Sequence, residues 1–328
     1  MLAVNAYMPN YVVVTRQNED NVGFIETFNA ESGGGAVLAS NISFSFKWPY
    51  IQMNTNTNTD KVYALTIPDD NIPRLYELSS GAYSLTQTGL WTIEDGTIIF
   101  DLQSSEQKDT LFGIKVTGQY QRTLSGIQLL ENNEVKITEL YDLPEYWYVN
   151  ASSYNGAADV YYALINNFPG REESTLEQQQ ILIVDFADCE VGSATPKPEA
   201  NLVTVKNGNF GQLQFIAYYE RYLFGAGINL DNNIAFVTVV DQATGDLADI
   251  NFQKEGITEV GPLVTHSNHG TTGYHMTLFV KRGGGGWVQY YLTYNSNSQT
   301  INVVQEEREY QGTEYKYFAA GTVAFNEY

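Results

Sequence analysis

Cysteine is nearly missing from this chain: Cys189 stands alone among 328 residues. A lone thiol excludes an internal disulfide and a thiolate zinc cluster. It lies in Asp185-Phe186-Ala187-Asp188-Cys189-Glu190, where neighbouring carboxylates disfavour the thiolate, so it reads as structural. The lack of disulfides tilts the compartment toward an intracellular one without excluding secretion. Basic residues are scarce too: 17 Lys and Arg face 38 Asp and Glu, for a net charge of −21. A field of that sign repels phosphate backbones and anionic lipid, so nucleic acid is not an expected partner. The acids are scattered rather than blocked, which suits a solvated surface on a soluble protein and not an acidic tail. No stretch reaches the roughly eighteen apolar residues of a membrane span, and no membrane insertion is expected. Residues 1–11 lack the basic start and apolar run of a secretory signal.

Helical periodicity is also missing. The best candidate, residues 172–180, is polar all round and reads as a long loop with one turn of helix at most. What is present is aromatic and β-branched: 24 Tyr and 16 Phe suit pleated, half-buried surfaces. Apolar runs of five to seven residues are bounded by Gly, Asn, Asp or Pro, as strands are. The repeat Asn-Thr-Asn-Thr-Asn-Thr-Asp over 54–60 reads as a low-complexity polar loop.

Pairs of such runs recur. Their first members begin near residues 11, 62, 111, 160, 222 and 275, at steps of 51, 49, 49, 62 and 53, with 64 for the wrap through the C-terminus. A weaker strand precedes most pairs: residues 42–46, 97–102, 147–151, 213–219 and 263–266. The N-terminal pair has none in front, and residues 317–325 are its natural supplier, placed beside 11–15. A fixed period of this size in an all-β chain resembles the β-propeller superfold, each repeat a four-stranded blade. The expected architecture is one six-bladed propeller over residues 1–328, closed by strands from both termini. Seven blades are an alternative. So are two β-sandwich domains split at Gly192-Ser193-Ala194-Thr195-Pro196-Lys197-Pro198.

No P-loop, dinucleotide fingerprint or Gly-x-Ser-x-Gly elbow occurs. His266, His269 and His275 are the only histidines. If 263–266 is an innermost strand, His266 lies near the central opening as a candidate general base or ligand-binding residue, with His269 beside it. Trp48, Tyr50 and Trp147 offer aromatic faces to a glycan or other ligand. Some six-bladed propellers are calcium-dependent lactonases, and that resemblance implies a central cation held by oxygen ligands. Asp101, Asn150, Glu220 and Asn268, on or just after the proposed inner strands, are the candidates. With abundant aromatics and no catalytic signature, the expected function is a non-enzymatic binding protein that engages a protein, glycan or small molecule. A calcium-dependent lactonase or esterase-type hydrolase and a structural assembly component are the alternatives.

Overall fold

The computed structural model describes residues 11–17, 22–29, 38–45, 51–56, 61–68, 70, 72–80, 85–94, 96–105, 110–167, 178–207, 211–248, 252–266, 274–284, 286–309 and 319–323. Statements about side chains concern residues between Lys61 and Val303. Among the described residues every regular element is a strand. In chain order these are β1 (Tyr11–Gln17), β2 (Val22–Asn29) and β3 (Leu38–Ser45); then β4 (Ile51–Asn56), β5 (Lys61–Thr66), β6 (Arg74–Ser80) and β7 (Leu85–Thr92). Next come β8 (Ile99–Ser104), β9 (Leu111–Val116), β10 (Arg122–Leu129) and β11 (Val135–Asp142), followed by β12 (Trp147–Asn155), β13 (Val160–Asn167), β14 (Gln179–Asp185) and β15 (Glu199–Thr204). The chain continues through β16 (Gln212–Tyr219), β17 (Tyr222–Asn229), β18 (Ile234–Val240) and β19 (Phe252–Glu255), then β20 (Ile257–His266), β21 (Tyr274–Arg282), β22 (Trp287–Asn295), β23 (Thr300–Glu309) and β24 (Ala319–Val323).

The strands form six four-stranded antiparallel sheets, each four consecutive strands except the first. That one is ordered β24-β1-β2-β3, with Tyr11 opposite Val323 and Thr15 opposite Ala319. The C-terminal segment therefore does lie beside 11–15. Each strand pair read from the periodicity falls within one sheet, for example β5 with β6 and β21 with β22. The first strands of successive sheets also neighbour one another, from β4 through β8, β12, β16 and β20 to β24, which in turn neighbours β4.

Burial explains why the apolar runs are continuous and not alternating. β13, β17 and β21 are buried along nearly their whole length, because both faces of each sheet pack against other sheets. The fourth strands, such as β11 and β15, are largely exposed. Apolar clusters fill the seams between neighbouring sheets, four of them in succession from the second sheet to the sixth. Cys189, 4% exposed, is part of the cluster between the third and fourth sheets, as expected of a structural thiol. Asn133, Asp159 and Asn233 take the left-handed conformation at turns, where their short polar side chains are tolerated. Gly227 is needed for close approach: a Cβ there would lie 2.3 Å from the Gln212 carbonyl oxygen.

Four expectations need correction. Residues 42–46 are not an inner strand; most of them belong to β3, the outer strand of the first sheet. The inner strand of the second sheet is β4, which begins the polar repeat taken for a loop, since backbone pairing with β5 does not require apolar side chains. The Gly192–Pro198 stretch is no interdomain linker: β14 and β15, on either side of it, pair in one sheet. Of the helix candidate, Gln179 and Gln180 belong to β14, and residues 172–177 lie outside the described residues.

Candidate functional site

Four of the first strands carry irregular backbone, as do several other strand pairs. Register breaks occur between Phe100 and Gln103 in β8, Val149 and Ala151 in β12, Leu213 and Phe215 in β16, and Val260 and Leu263 in β20. Bulges of this kind re-aim side chains and gather near functional sites. The bulged residues are Asp101 with Leu102, then Asn150, Gln214, and Gly261 with Pro262. They fall at corresponding heights on neighbouring strands. Asn150 Nδ2 donates to the Gln214 carbonyl at 3.0 Å, linking one bulge to the next.

Asp101 is the chemically distinctive member. Its φ of 56° puts a non-glycine residue in the left-handed region, a conformation that costs energy and persists only where its surroundings enforce it. The residue is half-buried, and burial is the largest influence on its carboxyl. That desolvation pushes the carboxyl above the ordinary carboxylate range, against hydrogen bonding from Ser152 and Tyr161. Tyr161 Oη donates to Asp101 Oδ2 at 3.0 Å. Tyr161 is fully buried and lies beside Phe112, itself stacked on Phe186. Burial, and next the neighbouring Asp101 charge, keep the Tyr161 phenol protonated well above its usual range. Ser152 Oγ sits near the carboxyl, steadying its charge, yet makes no hydrogen bond of ordinary geometry to any group. Gln103 Nε2 donates to the Ser152 carbonyl at 3.2 Å and ties β8 to β12 at this height.

The candidates read from sequence scatter. Asp101 and Asn150 are bulge residues on adjacent strands. Glu220 is exposed on the turn after β16, also at a positive φ. Asn150 is level with Gln214, so Glu220, further along that strand, is about 20 Å away. Asp101 Oδ2 accepts from Tyr161 and Asn150 Nδ2 donates to Gln214, while Glu220 stands apart from both. Among the described residues no group of three His, Cys, Asp or Glu converges as a metal site. His266 ends β20, but its side chain, like Trp48, Tyr50, Asn268 and His269, lies outside the described residues. Trp147 is 6% exposed in the apolar cluster between the third and fourth sheets, so it presents no ring face to a ligand. His275, in β21, is buried; its Nδ1 lies 2.9 Å from Tyr291 Oη, and desolvation lowers its pKa. Sequence reading missed Tyr161, Ser152 and Gln214. Bulges leave no composition signal, and Tyr161 resembles any other strand tyrosine.

No protein-family model and no curated protein matches the chain. Among solved structures, the periplasmic gluconolactonase of Pseudomonas aeruginosa aligns with 96% of this chain and 99% of its own, at a TM-score of 0.52 and 10% identity. Prolyl oligopeptidase B from Galerina marginata aligns with 94% of this chain and 44% of its own, at 0.49 and 10%. A Synechocystis apocarotenoid oxygenase mutant aligns with 92% and 79%, at 0.47 and 11%. The gluconolactonase likeness shows a shared fold; the two scores below 0.5 add nothing to it. The neighbour matched end to end is a gluconolactonase. The expectation of a non-enzymatic binding protein is corrected on this likeness, and of the readings drawn from sequence the hydrolase alternative agrees better with it. No helix among the described residues is long and apolar enough to cross a membrane.

Proposed function

We propose that the chain is one six-bladed β-propeller that hydrolyses a small lactone or ester where its first strands converge. The six consecutive sheets, the cyclic adjacency of their first strands and the β24–β1 pairing support the architecture. The end-to-end likeness to a gluconolactonase supports the reaction class by analogy of fold. The observation that carries the reading is Asp101: a desolvated carboxyl on a strained bulge, with no cationic hydrogen-bond partner among the described residues. Perturbed carboxyls of this kind mark functional sites.

The chemistry follows from that environment. A general base works best when its pKa lies near the working pH, and desolvation moves Asp101 in that direction. As carboxylate it takes a proton from a water whose oxygen adds to the substrate carbonyl. The ring C–O bond then breaks, and the proton passes to the departing alkoxide oxygen, leaving the hydroxy acid. Tyr161 holds the carboxyl in place throughout as a neutral donor. The Ser152 hydroxyl, beside the carboxyl, is assigned to orient the water.

The test is turnover of a panel of aldonolactones, alkyl lactones and p-nitrophenyl esters. Asp101→Asn suits it, since Asn tolerates the left-handed backbone. A fall in kcat/KM of about 10²- to 10⁴-fold with an unchanged circular dichroism spectrum is expected. Full activity in the variant, or no turnover of any panel member by the native protein, overturns the reading.

A further inference from the structure

A second cluster lies away from Asp101, at the turn between β16 and β17 and the facing ends of β21 and β22. Tyr222 opens β17; Tyr274 and Tyr294 are cross-strand partners in the sixth sheet. Their rings pack edge to face across the seam, Tyr222 at 4.9 Å from Tyr274 and 5.1 Å from Tyr294. Phe224 packs on Tyr294 at 5.4 Å and supports the group from the core side. Over this group stands Arg221, exposed, its guanidinium carbon 5.1 Å from the centroid of the Tyr222 ring.

We propose that Arg221 and the hydroxyls of Tyr222, Tyr274 and Tyr294 form a binding site for a carboxylate. Arg221 cannot lose its proton, and its planar fork matches a carboxylate in two-point contact. Stacking on Tyr222 fixes the guanidinium in advance, so little side-chain freedom remains to be lost on binding. Burial, then the neighbouring phenols, push Tyr294 up, which keeps its O–H a donor. Interactions of Arg221 with Tyr222 and Tyr274 favour its charged form in return. The ring packing ties these donors to two sheets, so a bound carboxylate bridges the fifth and sixth sheets.

The rest of the molecule sets the ligand's charge. Against a net charge of −21, with Glu220 next in sequence and exposed, each added negative charge on a ligand is penalised. One guanidinium supports a singly charged carboxylate and not a phosphate dianion. The site makes no use of Asp101, and its occupation is read by binding rather than by turnover.

The experiment is thermal melting of the intact protein with sodium acetate or phosphate, at ionic strength matched with chloride. Acetate is expected to raise the melting temperature in a saturable way and phosphate to do so less. Arg221→Gln is expected to abolish the acetate shift. Tyr274→Phe, which keeps the ring, is expected to weaken acetate about tenfold. Asp101→Asn is expected to leave it unchanged, which separates this site from the hydrolytic one. Absence of an acetate shift, an undiminished shift in Arg221→Gln, or a larger shift with phosphate overturns the proposal. If Arg221→Gln does not fold, Arg221→Lys replaces it: loss of the fork with retention of charge must still weaken acetate, and equal affinity counts against the site.

Discussion

Two seams of the same fold are built differently. Between the fifth and sixth sheets, Phe224, Ala226, Ile228, Leu278, Val280 and their neighbours form an apolar cluster with tyrosines at its rim. Between the third and fourth sheets an apolar cluster is present too, but part-buried polar contacts join it: Asp101 with Tyr161, Gln103 with Ser152, and Ser105 with Tyr154. Apolar burial stabilises without demanding a single geometry. A buried carboxyl and phenol stabilise only when each finds its partner, so they fix the position of one sheet against the next at some cost in stability. The contrast teaches that equivalent seams can be divided between holding the molecule together and presenting chemistry.

Truncation tests that division most strongly on the apolar side. Phe224 is fully buried, and Phe224→Ala is expected to cost about 3–5 kcal/mol, read from the urea midpoint. A loss below 1 kcal/mol means the fifth–sixth seam does not depend on this packing. On the polar side, Tyr161→Phe deletes one hydroxyl and leaves the Asp101 carboxyl without its phenol donor. The expected cost is about 1–3 kcal/mol, with hydrolysis reduced more than stability. Unchanged turnover shows that the phenol does not position the base.

The smallest effect is the pH dependence of the melting temperature, and here the two regions should differ in sign. Asp101 has a folded pKa above its ordinary value of 3.8. Its stabilising contribution is complete below that value and is lost as pH rises through the folded pKa. His275, in the sixth sheet, has a folded pKa below its ordinary 6.5 because burial disfavours the cation. Its contribution is complete above 6.5 and is lost as pH falls through the folded pKa. Melting curves from pH 3.5 to 8 should therefore show Asp101→Asn flattening the decline on the alkaline side and His275→Gln the decline on the acid side. Coincident native and variant profiles remove the contrast.

Much of the strand pattern was legible because burial on both faces leaves a continuous apolar run, as in residues 160–165 and 235–240, and such runs recur at the period of the sheets. β4 was not legible: its Asn-Thr alternation carries no apolar signal, and only pairing with β5 makes it a strand. Asp101 and Asn150 were singled out for their oxygens and proved to be bulge residues, a backbone feature no residue type announces.

The sequence by itself determined the all-β class, the strand pairs and their period, the acidic surface and the structural thiol, because these depend on residue type and local spacing. Only the tertiary structure decided which strands neighbour one another from sheet to sheet, where their register breaks, and that Tyr161 meets Asp101 while Arg221 meets Tyr222. Asp101 and Tyr161 are 60 residues apart in the chain. Their contact follows from how one sheet packs on the next, and no local pattern encodes it.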